Sequence, residues 1–140
     1  MEFPPRHPRG VVLVVDDEIH VCRYVSRTLE PHGFDVIQAH SGEEALELFA
    51  RFGKRIDVVI LDIVLPGLDG EEVFRELRNW NPDVRVLFSS GHPDSPALTR
   101  LGSQPGTDLL DKPYQPAELV HTVETLLRAR EPRRKTEGST

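Results

Sequence analysis

Two short apolar runs in this sequence each end in acidic residues. Residues 11–15, all valine or leucine, are followed by Asp16 and Asp17, and residues 58–61 are followed by Asp62. A short apolar run bounded by polar residues is typical of a strand that is buried on both faces. If the two strands are parallel, their carboxyl ends meet at one edge of the sheet, and the three acids meet there too.

Three further strand-like runs lie near residues 35–39, 84–88 and 108–111. The segments between the five runs carry apolar residues three and four positions apart, which is helical spacing. Strands that alternate with helices predict a parallel sheet with helices on both faces. We therefore expect a single, doubly wound α/β domain, in which ligands bind beyond the carboxyl ends of the strands.

The sequence also marks where helices begin and where one is weak. Ser41 with Glu44 three residues later, and Asp69 with Glu72, have the pattern of capping boxes at helix starts. Prolines and glycines crowd the region between the fourth and fifth strand-like runs. That region is predicted to hold either a short helix at 97–101 or an irregular segment.

Composition limits the class of protein. A chain of 140 residues with 38% hydrophobic and 29% charged residues is typical of one soluble globular domain. The net charge of −6 disfavours direct binding to nucleic acid, because basic residues supply most of that affinity. No apolar run suits a membrane helix or a secretory signal, so we expect a cytoplasmic protein without membrane contact. Cys22 is the single cysteine, so an internal disulfide is excluded. We expect it to be a small apolar packing residue on a helix.

The ends of the chain differ from its middle. Residues 1–9 contain three prolines and are predicted to be a disordered leader. Residues 131–140 are predicted to be a polar, basic tail, which leaves 10–130 as the folded domain. Residues 131–140 are too few for a DNA-binding domain, so, unless the chain is a fragment of a longer one, we expect any output to pass through another protein.

The residues expected beyond the strand ends suit a divalent cation and a phosphoryl group. The fourth run ends in Ser89 and Ser90, and the fifth leads to Lys112. Oxygen ligands from the three acids suit Mg²⁺. The carboxylate of Asp62, beside the cation and Lys112, is expected to attack phosphorus while both positive charges neutralise the reacting oxygens. Capping of a helix or loop accounts for any one acid alone, but not for all of these residues in this order.

Four segments together resemble the receiver domain of two-component response regulators. The resemblance covers roughly residues 10–128 and implies a flavodoxin-like, five-stranded parallel sheet of order 2-1-3-4-5. The matching segments are VVDDE at 14–18, LDIVLPGLDG at 61–70, LFSSGH at 87–92 and DKPY at 111–114.

The resemblance assigns roles to particular residues. It implies that Asp62 is the phosphoacceptor and also a Mg²⁺ ligand, together with Asp17 directly, Asp16 mainly through water, and the backbone carbonyl of Val64. Ser90 is similar to the hydroxyl residue that moves to the phosphate in this family.

Lys112 corresponds to the phosphate-binding lysine, and a cis peptide bond to Pro113 is expected after it. The resemblance also implies a histidine kinase or phosphotransfer protein as the phosphoryl donor and a downstream protein as the recipient of the signal.

Three positions either depart from the family pattern or are expected to affect how long the phosphoryl group persists. The family usually has an aromatic residue where this chain has Leu109, so the aromatic readout of phosphorylation is expected to be altered. The Pro-rich fourth helix lies on the face that receivers commonly use for partners, so signalling through that face is expected to be altered or weak. Val64 offers no side-chain hydrogen bond to an attacking water, whereas His92 is interpreted either as an exposed loop residue or as a water-ordering one. We expect slow or moderate loss of the phosphoryl group.

Several functions remain open beside the phosphorelay receiver. We expect no turnover enzyme, only Mg²⁺-dependent self-phosphorylation and slow dephosphorylation. A phosphohydrolase with an aspartyl nucleophile is disfavoured, because such enzymes need an acid at the position of Val64. A phosphorylation-independent interaction module on the same fold is the alternative that Leu109 favours. The sequence is compatible with a stand-alone receiver and with a receiver from a hybrid kinase.

Overall fold

The structure is a computed structural model. It describes the backbone of residues 9–91 and 95–139, and side chains within those ranges up to residue 128. The predicted leader therefore lies outside the described residues, except for Arg9. The backbone amide of Arg9 donates to the carbonyl of Gly33 at 2.9 Å, so Arg9 is hydrogen-bonded to the folded domain.

Five parallel strands form one sheet in the order β2-β1-β3-β4-β5. This arrangement confirms the predicted flavodoxin-like fold, and each predicted strand lies within two residues of an observed one. Because all strands run the same way, one edge of the sheet collects the residues at which the strands end, and we call it the carboxyl edge. The strands are β1 (Gly10–Val15), β2 (Phe34–Ala39), β3 (Val58–Asp62), β4 (Arg85–Ser90) and β5 (Thr107–Asp111).

Five α-helices connect or follow the strands. The fourth is only seven residues long, so the short helix, one of the two alternatives that the sequence leaves open, is the one that forms. Short 3-10 turns follow α1 and α2, at Glu30–His32 and Gly53–Arg55. The helices are α1 (Ile19–Leu29), α2 (Gly42–Phe52), α3 (Gly70–Trp80), α4 (Pro96–Gly102) and α5 (Pro116–Ser139).

The last helix continues into the segment predicted as a polar, basic tail. The backbone of residues 131–139 extends α5, and the side chains of that segment lie outside the described part of the structure. The boundaries of the folded domain at residues 10 and 130 remain predictions.

Side-chain caps fix the starts of α2 and α3. Asp69 and Glu72 form the complete predicted capping box, with reciprocal hydrogen bonds of 3.0 Å. At α2, the Ser41 hydroxyl accepts from the Glu44 amide as predicted, but the Glu44 carboxylate accepts from the amide of His40 instead of that of Ser41. The box at Ser41 is therefore incomplete, because the acid reaches one residue further back.

Side chains of the sheet alternate between two cores. On β1, Leu13 faces the core beneath α2, α3 and α4, whereas Val12 and Val14 face the core beneath α1 and α5. Cys22 is fully buried in the second core, as predicted. Burial is the main cause that raises the pKa of its thiol to about 12. Helices cover both faces of the sheet, so a site that is accessible to a ligand is expected at an edge of the sheet.

Candidate functional site

Three carboxylates meet at the carboxyl edge of the sheet. The ladder between β1 and β3 pairs Val15 with Leu61, so Asp16 and Asp62 leave neighbouring strands side by side. One oxygen from each of Asp16, Asp17 and Asp62 lies within 4.8 Å of the others. Asp16 and Asp62 are buried and Asp17 is exposed, so the cluster is open to solvent on one side.

Lys112 enters this cluster from the loop after β5. Its Nζ lies 2.7 Å from Asp16 Oδ2 and 3.1 Å from Asp62 Oδ2. A third acid, Glu18, places an oxygen 3.8 Å from the same nitrogen. The sequence pattern assigned no role to Glu18, although it directly follows the two aspartates. The backbone amide of Lys112 donates to the Ser90 carbonyl at 2.8 Å, which fixes the main chain at the lysine. The predicted cis peptide bond between Lys112 and Pro113 is confirmed.

Both oxygens of Asp62 are oriented by donors. Oδ1 accepts a hydrogen bond from the Val64 amide at 3.1 Å, and Oδ2 accepts one from Lys112. Close packing holds the loop that follows: a Cβ on Gly70 would lie 2.5 Å from the Asp62 carbonyl oxygen. Sequence reasoning used Gly70 only as part of a motif, since nothing local reveals this approach between the start of α3 and the end of β3.

Burial and charge set the protonation of the site. Burial is the main cause that raises the pKa of Asp62, and the negative charge of Asp16 adds to it, against the opposing effects of Val64 and Lys112. For Lys112, burial lowers the pKa, but the hydrogen bonds and charges of Asp16 and Asp62 outweigh burial and raise it. The lysine is therefore a stable cation that leaves the cluster with excess negative charge.

Oxygen donors and excess negative charge fit a hard divalent cation. Mg²⁺ prefers carboxylate oxygens and retains several waters, so the exposed side at Asp17 suits it. Among the side chains that the structure describes, those grouped here as possible metal ligands are the carboxylates of Asp16, Asp17 and Asp62. The residues present therefore fit Mg²⁺ chemically.

The remaining predicted site residues lie around this cluster. Ser90 is buried at the end of β4, where the ladder pairs it with Asp111 and pairs its neighbour Ser89 with Asp62. The side chain of Val64 is 64% exposed beside the cluster. His92 lies outside the described residues. The roles of Ser90 as the mobile hydroxyl and of the Val64 carbonyl as a ligand remain predictions.

Leu109 stands where the family usually has an aromatic residue. Its side chain is half-buried against the core beneath α2, α3 and α4. A Cβ on Gly102 would lie 2.5 Å from Leu109 Cγ, so the leucine occupies the space above the last residue of α4. The residue in the family's aromatic position thus contacts α4 directly.

The sheet order defines a doubly wound, flavodoxin-like domain. The acids at its carboxyl edge form a pocket that suits a divalent cation. The sequence model described as the response regulator receiver domain matches residues 12–124. This chain belongs to the response regulator receiver domain family.

Two curated relatives and one solved structure illustrate the similarity. The chain is 36% identical over 118 residues to the sensor kinase CckA of Brucella abortus, covering 84% of this chain and 12% of the kinase. It is 38% identical over 122 residues to the response regulator MprA of Mycobacterium avium, covering 86% of this chain and 52% of that protein.

The structure matches a receiver domain protein from Clostridium thermocellum with a TM-score of 0.79 and 29% identity, covering 87% of this chain and 97% of that one. The chain thus spans about half of one curated relative and about an eighth of the other. Among residues 9–91 and 95–139, no helix has the length and apolar character needed to cross a membrane.

Proposed function

We propose that this chain is the phosphoacceptor of a two-component phosphorelay, in which Asp62 accepts a phosphoryl group from a histidine kinase or a phosphotransfer protein. One observation carries the proposal. The Asp62 carboxylate is held by the Val64 amide and by Lys112 inside a cluster of three acids. An oriented carboxylate beside a fixed cation is what an aspartyl nucleophile requires.

The transfer step follows from this geometry. An Asp62 oxygen forms a bond to phosphorus as the bond from phosphorus to the donor's imidazole nitrogen breaks, and the imidazole leaves with the electron pair. Lys112 already lies at Asp62 Oδ2, so it neutralises negative charge without moving far. When bound, Mg²⁺ supplies further neutralisation of the phosphoryl oxygens. Asp17, Asp16 through water, Asp62 and the Val64 carbonyl would hold it.

The acyl phosphate then needs partners for its oxygens. Lys112 is one, and the Ser90 hydroxyl at the end of the neighbouring strand is the second. Movement of Ser90 toward the phosphate would alter β4 and the segment that leads to α4. In this proposal a downstream protein reads the altered surface in the cytoplasm.

This chemistry is a switch, not turnover. The position two residues after Asp62 is Val64, whose exposed side chain carries no acid or base. An attacking water therefore lacks a proton acceptor there, and we expect slow loss of the phosphoryl group.

A phosphorylation-independent interaction module is the second candidate, and the packing of Leu109 favours it. The leucine fills the space above Gly102, where the family's aromatic ring would change position. A side chain that already packs against α4 has less room to respond to phosphorylation.

Beryllofluoride, a mimic of the phosphoryl group, separates the two candidates. With Mg²⁺ and beryllofluoride, the phosphorelay proposal expects amide NMR shifts at Ser90 and onward into α4 and β5. The Asp62→Ala variant is the matched control and should show none. Shifts confined to the loops around Asp62 would contradict the switch and favour the interaction module.

A further inference from the structure

A second concave surface lies at the edge of the sheet opposite the three acids. It is a cavity of about 910 Å³ between the carboxyl ends of α2 and α3. We call it the aromatic-basic cleft, and its aromatic and basic lining residues are Phe49, Arg51, Phe52, Lys54, Arg55 and Trp80. We propose that this cleft binds an acidic segment of a partner protein, with an apolar side chain of that segment against Trp80.

Trp80 provides an exposed but fixed aromatic surface. Its indole is stacked on the ring of Phe49 with 6.1 Å between centroids and 16° between planes. Phe49 is 3% exposed, so the inner side of this stack is anchored in the core, whereas Trp80 is 49% exposed. A tryptophan held in one orientation loses little entropy when a partner covers it, which is typical of an interface anchor.

Basic side chains surround this aromatic surface. Arg51, Lys54 and Arg55 are all exposed, in a chain whose net charge is −6. The Arg51 guanidinium lies 5.1 Å from the centroid of the Phe52 ring, which restrains it at the cleft. A local concentration of cations attracts an anionic ligand to the cleft. The net negative charge of the protein makes the same ligand less favourable elsewhere on the surface.

Helix geometry explains part of this pattern but not all of it. Cations near the carboxyl end of α2 interact favourably with the helix dipole, which accounts for Arg51. The dipole does not account for a half-exposed tryptophan beside those cations. An apolar anchor and adjacent cations together fit a peptide that carries an apolar residue between acidic ones.

The position of the cleft separates it from the phosphoacceptor. Helices α2 and α3 run back from the carboxyl edge, so their ends lie at the start of the strands, whereas Asp62 lies at the end of β3. Five residues of strand span about 17 Å at roughly 3.3 Å per residue. Binding in the cleft is therefore expected to be the same before and after phosphorylation, which suits a tether to a partner.

The single tryptophan makes the test direct, because Trp80 alone supplies the indole fluorescence of the chain. The probe is a short synthetic peptide of glutamate and aspartate around one phenylalanine, titrated into the full chain. We expect a saturable change in Trp80 fluorescence. A peptide with alanine in place of phenylalanine should bind roughly tenfold more weakly, equivalent to about 1.4 kcal/mol.

Charge-reversal variants decide whether the cleft is responsible. Lys54→Glu combined with Arg51→Glu should weaken binding of the labelled peptide at least about tenfold in fluorescence anisotropy. Arg75→Glu combined with Arg23→Glu is the control matched in charge, because both arginines are exposed and neither lines the cleft, and binding should be retained. Absence of saturable binding, or equal weakening by the control variant, would overturn the proposal. Self-association through the cleft in sedimentation experiments, abolished by the same double variant, would overturn it in favour of a second copy of the chain.

Discussion

Replacement of Lys112 by methionine should destabilise the domain when no divalent cation is present. The Lys112 ammonium contacts two buried carboxylates, at 2.7 Å for Asp16 and 3.1 Å for Asp62. Removing one partner of a buried ion pair costs roughly 3–5 kcal/mol, because the other charge is left buried and unpaired. The lysine side chain is 19% exposed, so water shields the pair in part. We therefore expect about 3 kcal/mol, the lower end of that range.

Urea unfolding in a chelating buffer measures this loss. With a slope of about 2 kcal/mol per molar urea, the midpoint should fall by about 1.5 M. Excess Mg²⁺ stabilises both proteins, so it should narrow the difference only as far as the variant, with more unpaired negative charge, binds Mg²⁺ more tightly. A tenfold tighter dissociation constant would narrow the difference by about 1.4 kcal/mol. Lys54→Met is the matched control, because Lys54 is exposed and far from the acids.

Mild acid should reduce the difference in unfolding stability between the Lys112→Met variant and wild type. The pKa of Asp62 is raised in the folded state, so its contribution to stability is present at low pH and lost as the pH rises through the folded pKa. Without Lys112 that pKa should rise further, and mild acid should narrow the gap between variant and wild type. A variant whose midpoint in chelator equals that of wild type at neutral pH would refute this account of the site's charge balance.

Three further outcomes are expected. Val64→Asn should speed loss of phosphate up to about tenfold by orienting water, and an unchanged rate in a phosphate-release time course would contradict the role of that position. Gly70→Ala should cost about 2 kcal/mol in urea unfolding, because its Cβ would lie 2.5 Å from the Asp62 carbonyl oxygen. Cys22 is fully buried and burial raises the pKa of its thiol, so it should react with a thiol reagent much more slowly in the folded protein than in urea, and rapid labelling of the folded protein would disprove its burial.

Sequence alone predicted the parts of the fold that depend on local pattern. Strands buried on both faces are continuous apolar runs, so β1 and β3 were evident, and their shared direction brought Asp16 and Asp62 together. The strand order was not evident from the residues, since no local pattern states which strands are neighbours. It came from the resemblance to receiver domains.

Other features depend on contacts between distant segments and were not predicted. Glu18 directly precedes α1 and Lys112 directly follows β5, and no local pattern indicates that these two segments meet. Leu109 was recognised as a departure, but its packing on Gly102 requires the actual position of α4.

The aromatic-basic cleft likewise arises from the packing of α2 against α3. Phe49 and Trp80 are far apart in sequence, and only the folded chain stacks their rings.

The central claim is that Asp62 is a Mg²⁺-dependent phosphoacceptor. Intact mass after incubation with Mg²⁺ and acetyl phosphate tests it most directly, with wild type and Asp62→Ala side by side. The account predicts that wild type gains one phosphoryl group, that a chelator abolishes the gain, and that the variant gains none. An equal gain in the variant, or no gain in wild type from either acetyl phosphate or an autophosphorylated cognate histidine kinase, would contradict it.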